Sequence, residues 1–234
     1  MARTETLLDW GLKTPPLEWV LVPTSEVTGR IRESCYLGAR RLLDISVASL
    51  LLVLSLPLLA AATLAVKLTS RGPACFRQVR AGKDGQPFYM YKLRTMYLGA
   101  DDDKQLFANL NELQNSPCFK MRRDPRVTPV GRFLRRSSID ELPQLINVLR
   151  GEMTLVGPRP LPLDEVRTDT YAERKRLSVT PGVTCLWQIS GRTEIPYFEW
   201  IILDLFYIEN RSLALDLKIL FKTVPAVISA RGAY

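Results

Sequence analysis

The chain has 234 residues and a formal net charge of +8, so we expect anionic partners: phosphorylated compounds, nucleic acid or an acidic membrane surface. It contains no histidine, which excludes Ser-His and Cys-His catalysis and leaves carboxylates, lysine and arginine for any chemistry. The four cysteines lie far apart without a CxxC pair, so they predict neither a zinc site nor a disulfide framework.

Residues 1–39 are predicted to be an adaptable N-terminal extension. Pro15, Pro16 and Pro23 interrupt any periodic pattern, and the stretch carries no signal-peptide cleavage pattern. The sequence does not indicate what this extension does.

Residues 40–71 are predicted to form a membrane segment. Ile45 to Val66 contain no charged residue over 22 positions, and about 20 apolar residues match the ~30 Å hydrocarbon core of a bilayer. The alternative is a buried helix of a soluble protein, although such a helix usually keeps polar residues on one side.

Pro57 lies at the centre of this segment and predicts a break in the helix, because proline removes a backbone hydrogen bond. Ser55 is placed to cover a freed carbonyl. Two halves bent here would enter and leave by the same leaflet, which makes the segment re-entrant. Basic residues flank both ends of the segment, so the distribution of positive charge does not indicate an orientation across the membrane. A single span with a kink at the proline is the alternative to the re-entrant segment.

Residues 72–234 have the composition of a soluble domain, and the fold class predicted for the chain is helix-rich α/β. Strands are expected over residues 76–80 and 88–94, joined as a hairpin through a glycine-rich turn. A further strand is expected over residues 179–192. Helices are expected over residues 165–177, 197–210 and 213–228, and the last is amphipathic, as in helices that lie on a membrane surface.

Asp140 and Glu141 are adjacent acids that follow Arg135 and begin an apolar-periodic segment ending at Gly151. One hypothesis is that Asp140 is a nucleophile. The spacing equally fits a helix start with Asp140 as the N-cap, so both interpretations are open at this point.

Arg159 lies between Pro158 and Pro160, which restrict the backbone around it. An arginine on a rigid backbone suits bidentate phosphate binding, although the same sequence is also compatible with an exposed turn. Residues 115–129 form a second basic stretch, which is typical of a solvated surface.

Several short motifs occur in an order that resembles the bacterial sugar transferase family, the monotopic phosphoglycosyl transferases. The resemblance covers residues 40–231. Its motifs are the apolar segment with its central proline, Lys92-Leu93-Arg94-Thr95-Met96, Asp140-Glu141-Leu142, Gly157-Pro158-Arg159-Pro160, Pro181-Gly182-Val183-Thr184, Trp187-Gln188 with Gly191-Arg192, Leu203-Asp204 through Tyr207, and Asp216-Leu217-Lys218.

The resemblance implies that a sugar 1-phosphate passes from a UDP-sugar to polyprenyl phosphate, with release of UMP. It implies that Asp140 attacks the sugar-proximal phosphate and forms a covalent intermediate. It also implies Mg²⁺ as cofactor, membrane lipids as partners, and a catalytic domain with membrane-surface helices on the cytoplasmic face of the bacterial inner membrane.

The same resemblance assigns the site residues. Glu141 would coordinate the metal together with Asp140 or take a proton from the acceptor, and these two roles are left open. Phosphates or substrate would be bound by Arg135, Arg159, Arg192, Lys92 and Arg94. The sequence departs from the family's pattern at two positions. Leu56 stands directly before the proline, where some members have serine, and Cys185 stands where glycine is common.

A hypothesis of another class is a membrane-anchored nucleic-acid-binding or scaffold protein, which the net charge of +8 and the basic loop from Lys120 to Arg126 would support. The resemblance favours the enzyme and no nucleic acid partner. The sugar, the pathway and whether the chain forms a homo-oligomer are not indicated by the sequence.

Overall fold

The computed structural model describes residues 26–100, 106–107, 109–112, 116–119, 121, 123–191 and 195–230, with side chains from residue 33 onward. These residues form a helix-rich α/β structure, as predicted. Its helices are α1 (Glu26–Thr69), α2 (Pro129–Arg136), α3 (Gln144–Arg150), α4 (Tyr171–Leu177), α5 (Leu186–Ile189), α6 (Tyr197–Asn210) and α7 (Leu213–Ile228). Its strands are β1 (Cys75–Ala81), β2 (Pro87–Leu93), β3 (Thr154–Val156) and β4 (Gly182–Thr184).

The predicted hairpin is confirmed. β1 and β2 pair antiparallel, with Phe76 opposite Lys92 and Ala81 opposite Pro87. Phe88 and Met90 of β2 are buried in the core, and Lys92 follows them on the same face of the strand.

A second, smaller sheet consists of β3 and β4, which pair in parallel. The two glycines that flank these strands in their motifs come into direct backbone contact. A Cβ added to Gly182 would lie 2.1 Å from the nitrogen of Gly157, so only glycine fits there. This contact brings the loop that carries Arg159 beside β4.

Helices α6 and α7 have the bounds that the sequence predicts, but two other elements differ. The helix expected over residues 165–177 is only Tyr171–Leu177, because Thr170 caps it by accepting a hydrogen bond from the backbone of Glu173. The strand expected over residues 179–192 ends at Thr184, and Leu186–Ile189 is helical.

Helix α1 contains the apolar segment, and it differs from the predicted helix–break–helix. Helical residues continue through Ser55 and Pro57, so Pro57 lies inside one helix. The Ser55 hydroxyl donates to Leu52 O at 3.0 Å and not to Val53 O, the carbonyl that the missing proline N–H leaves without its helical donor. Among the described residues, 33–69 form the one helix long and apolar enough to cross a membrane.

The N-terminal flank of the apolar segment is tied to the rest of the molecule by charged side chains. Arg41 donates to the carbonyls of Val148 and Leu149 at the end of α3, at 2.6 and 2.7 Å. Asp44 accepts from the Leu155 backbone at 2.9 Å and from the Thr154 hydroxyl. These bonds hold α1 against α3 and β3.

The C-terminal flank of the segment packs on the same globular part. Ala62 and Val66 are buried with Leu93 of β2 and Leu134 of α2. The middle of the segment is different, because its large apolar side chains are largely exposed. They are Leu50, Leu51, Val53, Leu54, Leu56 and Leu58.

Candidate active site

Asp140 and Glu141 lie on a tight 3₁₀ turn, Ile139–Glu141, between α2 and α3. The residue before the turn, Ser138, has a left-handed backbone with φ of 56°, which is uncommon for a residue with a side chain and occurs often at functional sites. The interpretation of Asp140 as a helix N-cap is wrong. The acids belong to the 3₁₀ turn before helix α3, which begins only at Gln144 with Pro143 at its N-cap position.

Glu141 is held by two cations. Lys92 on β2 donates to Oε1 of Glu141 at 2.9 Å, and Arg159 binds both carboxylate oxygens, with Nη1 at 3.3 Å from Oε2. The structure therefore brings together residues that are far apart in the sequence and that sequence reasoning assigned to one site.

The two adjacent acids differ in their electrostatics. Burial would raise the pKa of Glu141, but Arg159 and Lys92 outweigh burial and hold that pKa well below its usual range. Burial raises the pKa of Asp140 to about 6, although the surrounding cations oppose the shift. Glu141 therefore stays ionised at neutral pH and is a poor proton acceptor, whereas Asp140 titrates close to neutrality.

Arg135 is oriented by a residue that sequence reasoning did not single out. Its Nε donates to the hydroxyl of Thr95 at 2.9 Å. The carbonyl of Thr95 accepts from the Thr128 backbone at 3.0 Å, and a Cβ added to Gly131 would lie 1.9 Å from that carbonyl. Thr95 belongs to the Lys92–Met96 motif, but its contact with α2 depends on folding and cannot be recognised from spacing.

The loop that carries Arg159 is held by two further arginines that sequence reasoning missed. Arg80 donates to Pro160 O at 3.0 Å, and Arg176 binds the Asp204 carboxylate at 2.8 Å while its Nη2 reaches Arg159 O at 3.4 Å. Because these hydrogen bonds hold the backbone of the loop, the position of Arg159 is determined by more than its flanking prolines.

Gln188, from the Trp187-Gln188 motif, contacts Arg159 directly. With its amide oriented to satisfy both neighbours, its oxygen accepts from Arg159 Nη1 at 2.9 Å and its nitrogen donates to Val183 O at 3.3 Å. Arg159 therefore lies between Glu141 and Gln188.

All these groups face one large cleft of about 1300 Å³. One part is polar and contains the two acids with their cations. The other part is apolar, between the apolar segment of α1 and helix α7. Its apolar lining includes Leu43, Val47, Leu51, Leu58, Leu217, Leu220, Phe221 and Val224. The polar part of the cleft therefore suits phosphate binding, and the apolar part suits a long hydrocarbon chain.

Comparison with known proteins identifies the family. A family model described as bacterial sugar transferase matches residues 35–230. The chain belongs to the bacterial sugar transferase family. The resemblance noted from the motifs is confirmed.

Similar proteins include an exopolysaccharide production protein, ExoY, of Rhizobium meliloti (strain 1021), 41% identical over 89% of this chain and 93% of its own length. A UDP-glucose:undecaprenyl-phosphate glucose-1-phosphate transferase of Caulobacter vibrioides is 44% identical over 83% of this chain and 72% of its own length. An undecaprenyl-phosphate galactose phosphotransferase of Salmonella typhimurium is 40% identical over 83% of this chain but 41% of its own length.

The remaining predicted site residues fall outside this cluster or outside the described chain. Arg94 is buried and donates to Ser70 at the end of α1, and among the described residues it has no contact with the two acids. Arg192 lies outside the described residues. Within the basic stretch 115–129, Lys120 and Arg122 also lie outside them, while Arg126 is buried and pairs with Asp124 at 2.7 Å.

The acids can be tested for a fit to Mg²⁺. No group of three or more carboxylate, cysteine or histidine side chains is placed to hold a metal within the described part of the chain. Mg²⁺ is commonly held by one or two carboxylates together with substrate phosphates. Asp140 accepts no hydrogen bond from the described residues, and Oε2 of Glu141 accepts one long bond, so the pair fits a metal shared with a diphosphate.

The raised pKa of Asp140 predicts a pH-dependent stability. Its pKa of about 6 in the folded protein exceeds the ordinary 3.8, so the wild type loses stability as the pH rises through this interval. Asparagine does not titrate. With a metal chelator present, we expect Asp140→Asn to be more stable than the wild type at pH 8, by at most about 3 kcal/mol, and little different near pH 4.

Chemical denaturation across this pH range measures the effect. Asp84→Asn is the matched control, since Asp84 is exposed on the hairpin turn. A stability difference between Asp140→Asn and the wild type that did not change with pH would contradict the raised pKa of Asp140.

Proposed function

We propose that this protein transfers a sugar 1-phosphate from a UDP-sugar to polyprenyl (undecaprenyl) phosphate, with release of UMP. The observation that carries the proposal is the Asp140 carboxylate. It is buried, it faces the cleft, and it accepts no hydrogen bond from the part of the chain that the structure describes. A carboxylate placed among cations yet unbonded is available to attack an anionic phosphate.

The chemistry follows as two phosphoryl transfers. An oxygen of Asp140 attacks the sugar-proximal phosphorus, and the bond to the bridging oxygen breaks, so that UMP departs with that oxygen. An oxygen of the acceptor phosphate then attacks the same phosphorus and releases Asp140. A covalent intermediate divides one difficult transfer into two easier ones.

The cations of the site supply the electrostatics. Phosphoryl transfer is catalysed mainly by positioning and by stabilising charge on the phosphate oxygens. Arg135 and Arg159 line the cleft together with Asp140, and the charge of each acts to lower the pKa of Asp140. We assign them to the donor diphosphate.

Glu141 acts in this proposal as a metal ligand and as an anchor, and not as a proton acceptor. Its strongly lowered pKa leaves it without a proton to exchange near neutral pH. Its bonds to Lys92 and Arg159 hold both cations in the site. When bound by Asp140 and Glu141, Mg²⁺ would neutralise charge on the diphosphate.

The relatives support this activity and leave the sugar open. Two of them are named for undecaprenyl phosphate as acceptor, and their names specify glucose in one case and galactose in the other. ExoY is named for exopolysaccharide production. We therefore place this protein at the membrane step that begins such a polymer, and we start any donor search with UDP-glucose and UDP-galactose.

The contacts of α1 support a re-entrant topology at the cytoplasmic face of the inner membrane. Arg41 and Asp44 before the apolar segment, and Ser70 after it, are hydrogen-bonded to the same globular part. A helix that crossed the bilayer would place these flanks on opposite sides. The exposed apolar side chains around Pro57 then enter the bilayer, while both flanks stay with the catalytic domain.

A donor screen tests the activity. Purified protein with Mg²⁺ and polyprenyl phosphate is expected to release UMP from one or a few members of a UDP-sugar panel. Asp140→Asn is expected to lower that release by at least about 1000-fold, because an amide cannot serve as the nucleophile. Retained UMP release in a folded Asp140→Asn variant would exclude Asp140 as nucleophile, and release from no donor would count against the activity.

The hydrogen bond from Arg135 to Thr95 gives a finer prediction. Thr95→Val keeps the side-chain shape but removes the acceptor, so we expect kcat/KM for the UDP-sugar to fall about 10-fold. Thr95→Ser keeps the hydroxyl and is expected to retain most of the activity. Equal losses in the two variants would show that the hydroxyl does not orient Arg135.

Two native cysteines test the topology, since Cys35 and Cys75 flank the membrane segment and are both exposed. We prepare two variants, each keeping one of them and with the other cysteines replaced by serine. In the re-entrant arrangement, a membrane-impermeant maleimide labels neither in intact spheroplasts and both in inverted vesicles. Labelling of one of the two in spheroplasts would show a single span.

A further inference from the structure

Asp216, near the start of α7, lies in a cluster of polar side chains that joins three helices. Its Oδ1 accepts from the hydroxyl of Tyr207 on α6 at 2.7 Å, and its Oδ2 accepts from the hydroxyl of Tyr36 on α1 at 2.8 Å. Arg40, one helical turn after Tyr36, places its Nε 3.9 Å from Oδ2. Arg40, Tyr207 and Asp216 are buried, and Tyr36 is half-buried. These four residues are called the Asp216 cluster.

The Asp216 cluster determines how α7 lies against α1. Hydrogen bonds to an ionised carboxylate are stronger than bonds between neutral groups. Removing the partners of a buried carboxylate is costly, because the charge then lacks the bonds that replace its contacts with water. Since Tyr36 and Arg40 belong to α1 and the carboxylate belongs to α7, the position of one helix relative to the other depends on these contacts.

The apolar part of the cleft continues from the Asp216 cluster along both helices. Tyr36 and Arg40 begin a row at helical spacing on α1, and the row continues with residues that line the cleft, namely Leu43, Val47 and Leu51. Asp216 begins a similar row on α7, which continues with Leu217, Leu220, Phe221 and Val224. The residues that join the two helices therefore lie at one end of both apolar rows.

The separation of the two rows decides how well they hold a hydrocarbon chain. Dispersion attraction falls steeply with distance, and a gap of 0.5 to 1 Å loses roughly a quarter to a half of it at each contact. Phe221 and Val224 are largely exposed in the protein alone, so this side of α7 is available to a ligand. A small shift of α7 away from α1 would weaken many contacts with a long chain at once.

We propose that Asp216 is a positioning residue for the polyprenyl acceptor. Bound by Tyr36, Tyr207 and Arg40, it sets α7 at the distance from α1 at which the two apolar rows hold the hydrocarbon chain of the acceptor. The identity of the acceptor rests on the proposed function. Asp216 acts through the helices and contacts neither the phosphate nor the reacting atoms.

Lipid binding tests this inference without any catalysis. The full-length protein is placed in phosphatidylcholine nanodiscs that contain increasing mole fractions of undecaprenyl phosphate, and native mass spectrometry measures the bound fraction. Tyr36→Phe removes the hydroxyl that binds Asp216 while Tyr207 and Arg40 remain, so we expect undecaprenyl phosphate to bind about 5-fold more weakly. Undecaprenol is expected to lose affinity by a similar factor, because the cluster acts on the chain and not on the phosphate.

Calorimetric titration with UDP separates positioning of the acceptor from a general structural role. We expect Tyr36→Phe to bind UDP as the wild type does, because the donor is assigned to the cations around Asp140. An equal loss of affinity for UDP would show a general effect on the fold. A loss for UDP alone would show that the cluster acts on the Arg159 loop through Val156, whose carbonyl accepts from Arg40. Either result overturns the proposal.

Tyr171→Phe is the matched control, because Tyr171 is an exposed tyrosine at the start of α4. It is expected to bind both lipids and UDP as the wild type does. Asp216→Asn removes the ion pair with Arg40 and one of the two acceptor oxygens, so it is expected to weaken lipid binding more than Tyr36→Phe does. If Asp216→Asn does not fold, Tyr36→Phe decides the question.

Wild-type affinity for undecaprenyl phosphate in folded Tyr36→Phe overturns the proposal, as does a wild type that does not bind this lipid. Because these titrations require no UDP-sugar and no turnover, failure of UMP release would count against the proposed activity alone.

Discussion

The partly buried ion cluster of Glu141 with Lys92 and Arg159 is the interaction on which the rest of the site depends. It joins β2, the turn after α2 and the loop after β3, three parts of the chain that share no sheet. Removing Glu141 would leave two cations close together without a counter-ion. Glu141 therefore stabilises the arrangement of the site in addition to its proposed role as a metal ligand. Its neighbour Asp140 accepts no hydrogen bond from the part of the chain that the structure describes, which leaves its carboxylate available in the cleft.

Much of this arrangement is predictable from the sequence. Helices α6 and α7 follow from apolar periodicity, and the hairpin follows from alternation around a glycine turn. The two acids and Arg159 can be recognised from short motifs, one charged and one rich in proline, together with the order of the motifs along the chain. Short local signals suffice for these features because local backbone preferences agree with the final fold.

The rest depends on tertiary contacts that leave no local signal. The pattern at Asp140 fits a helix cap, and only the fold shows that the acids lie on a 3₁₀ turn that ends before α3 begins at Gln144. Thr95 and Arg176 act on residues 40 and 17 positions away, so their roles require the fold. The same is true of Arg94, which the sequence groups with Lys92 but which turns towards Ser70.

The attachment of α1 at both flanks of its apolar segment has a consequence for the reaction itself. Arg41, Asp44 and Ser70 bind the same globular part, so in the proposed re-entrant topology hydrogen bonds inside the protein would determine the depth of Asp140 relative to the bilayer. A water-soluble donor and a lipid-bound acceptor can then meet at one fixed level. In that arrangement the hydrocarbon chain of the acceptor would stay in lipid or in the apolar part of the cleft, and no step would require its transfer into water.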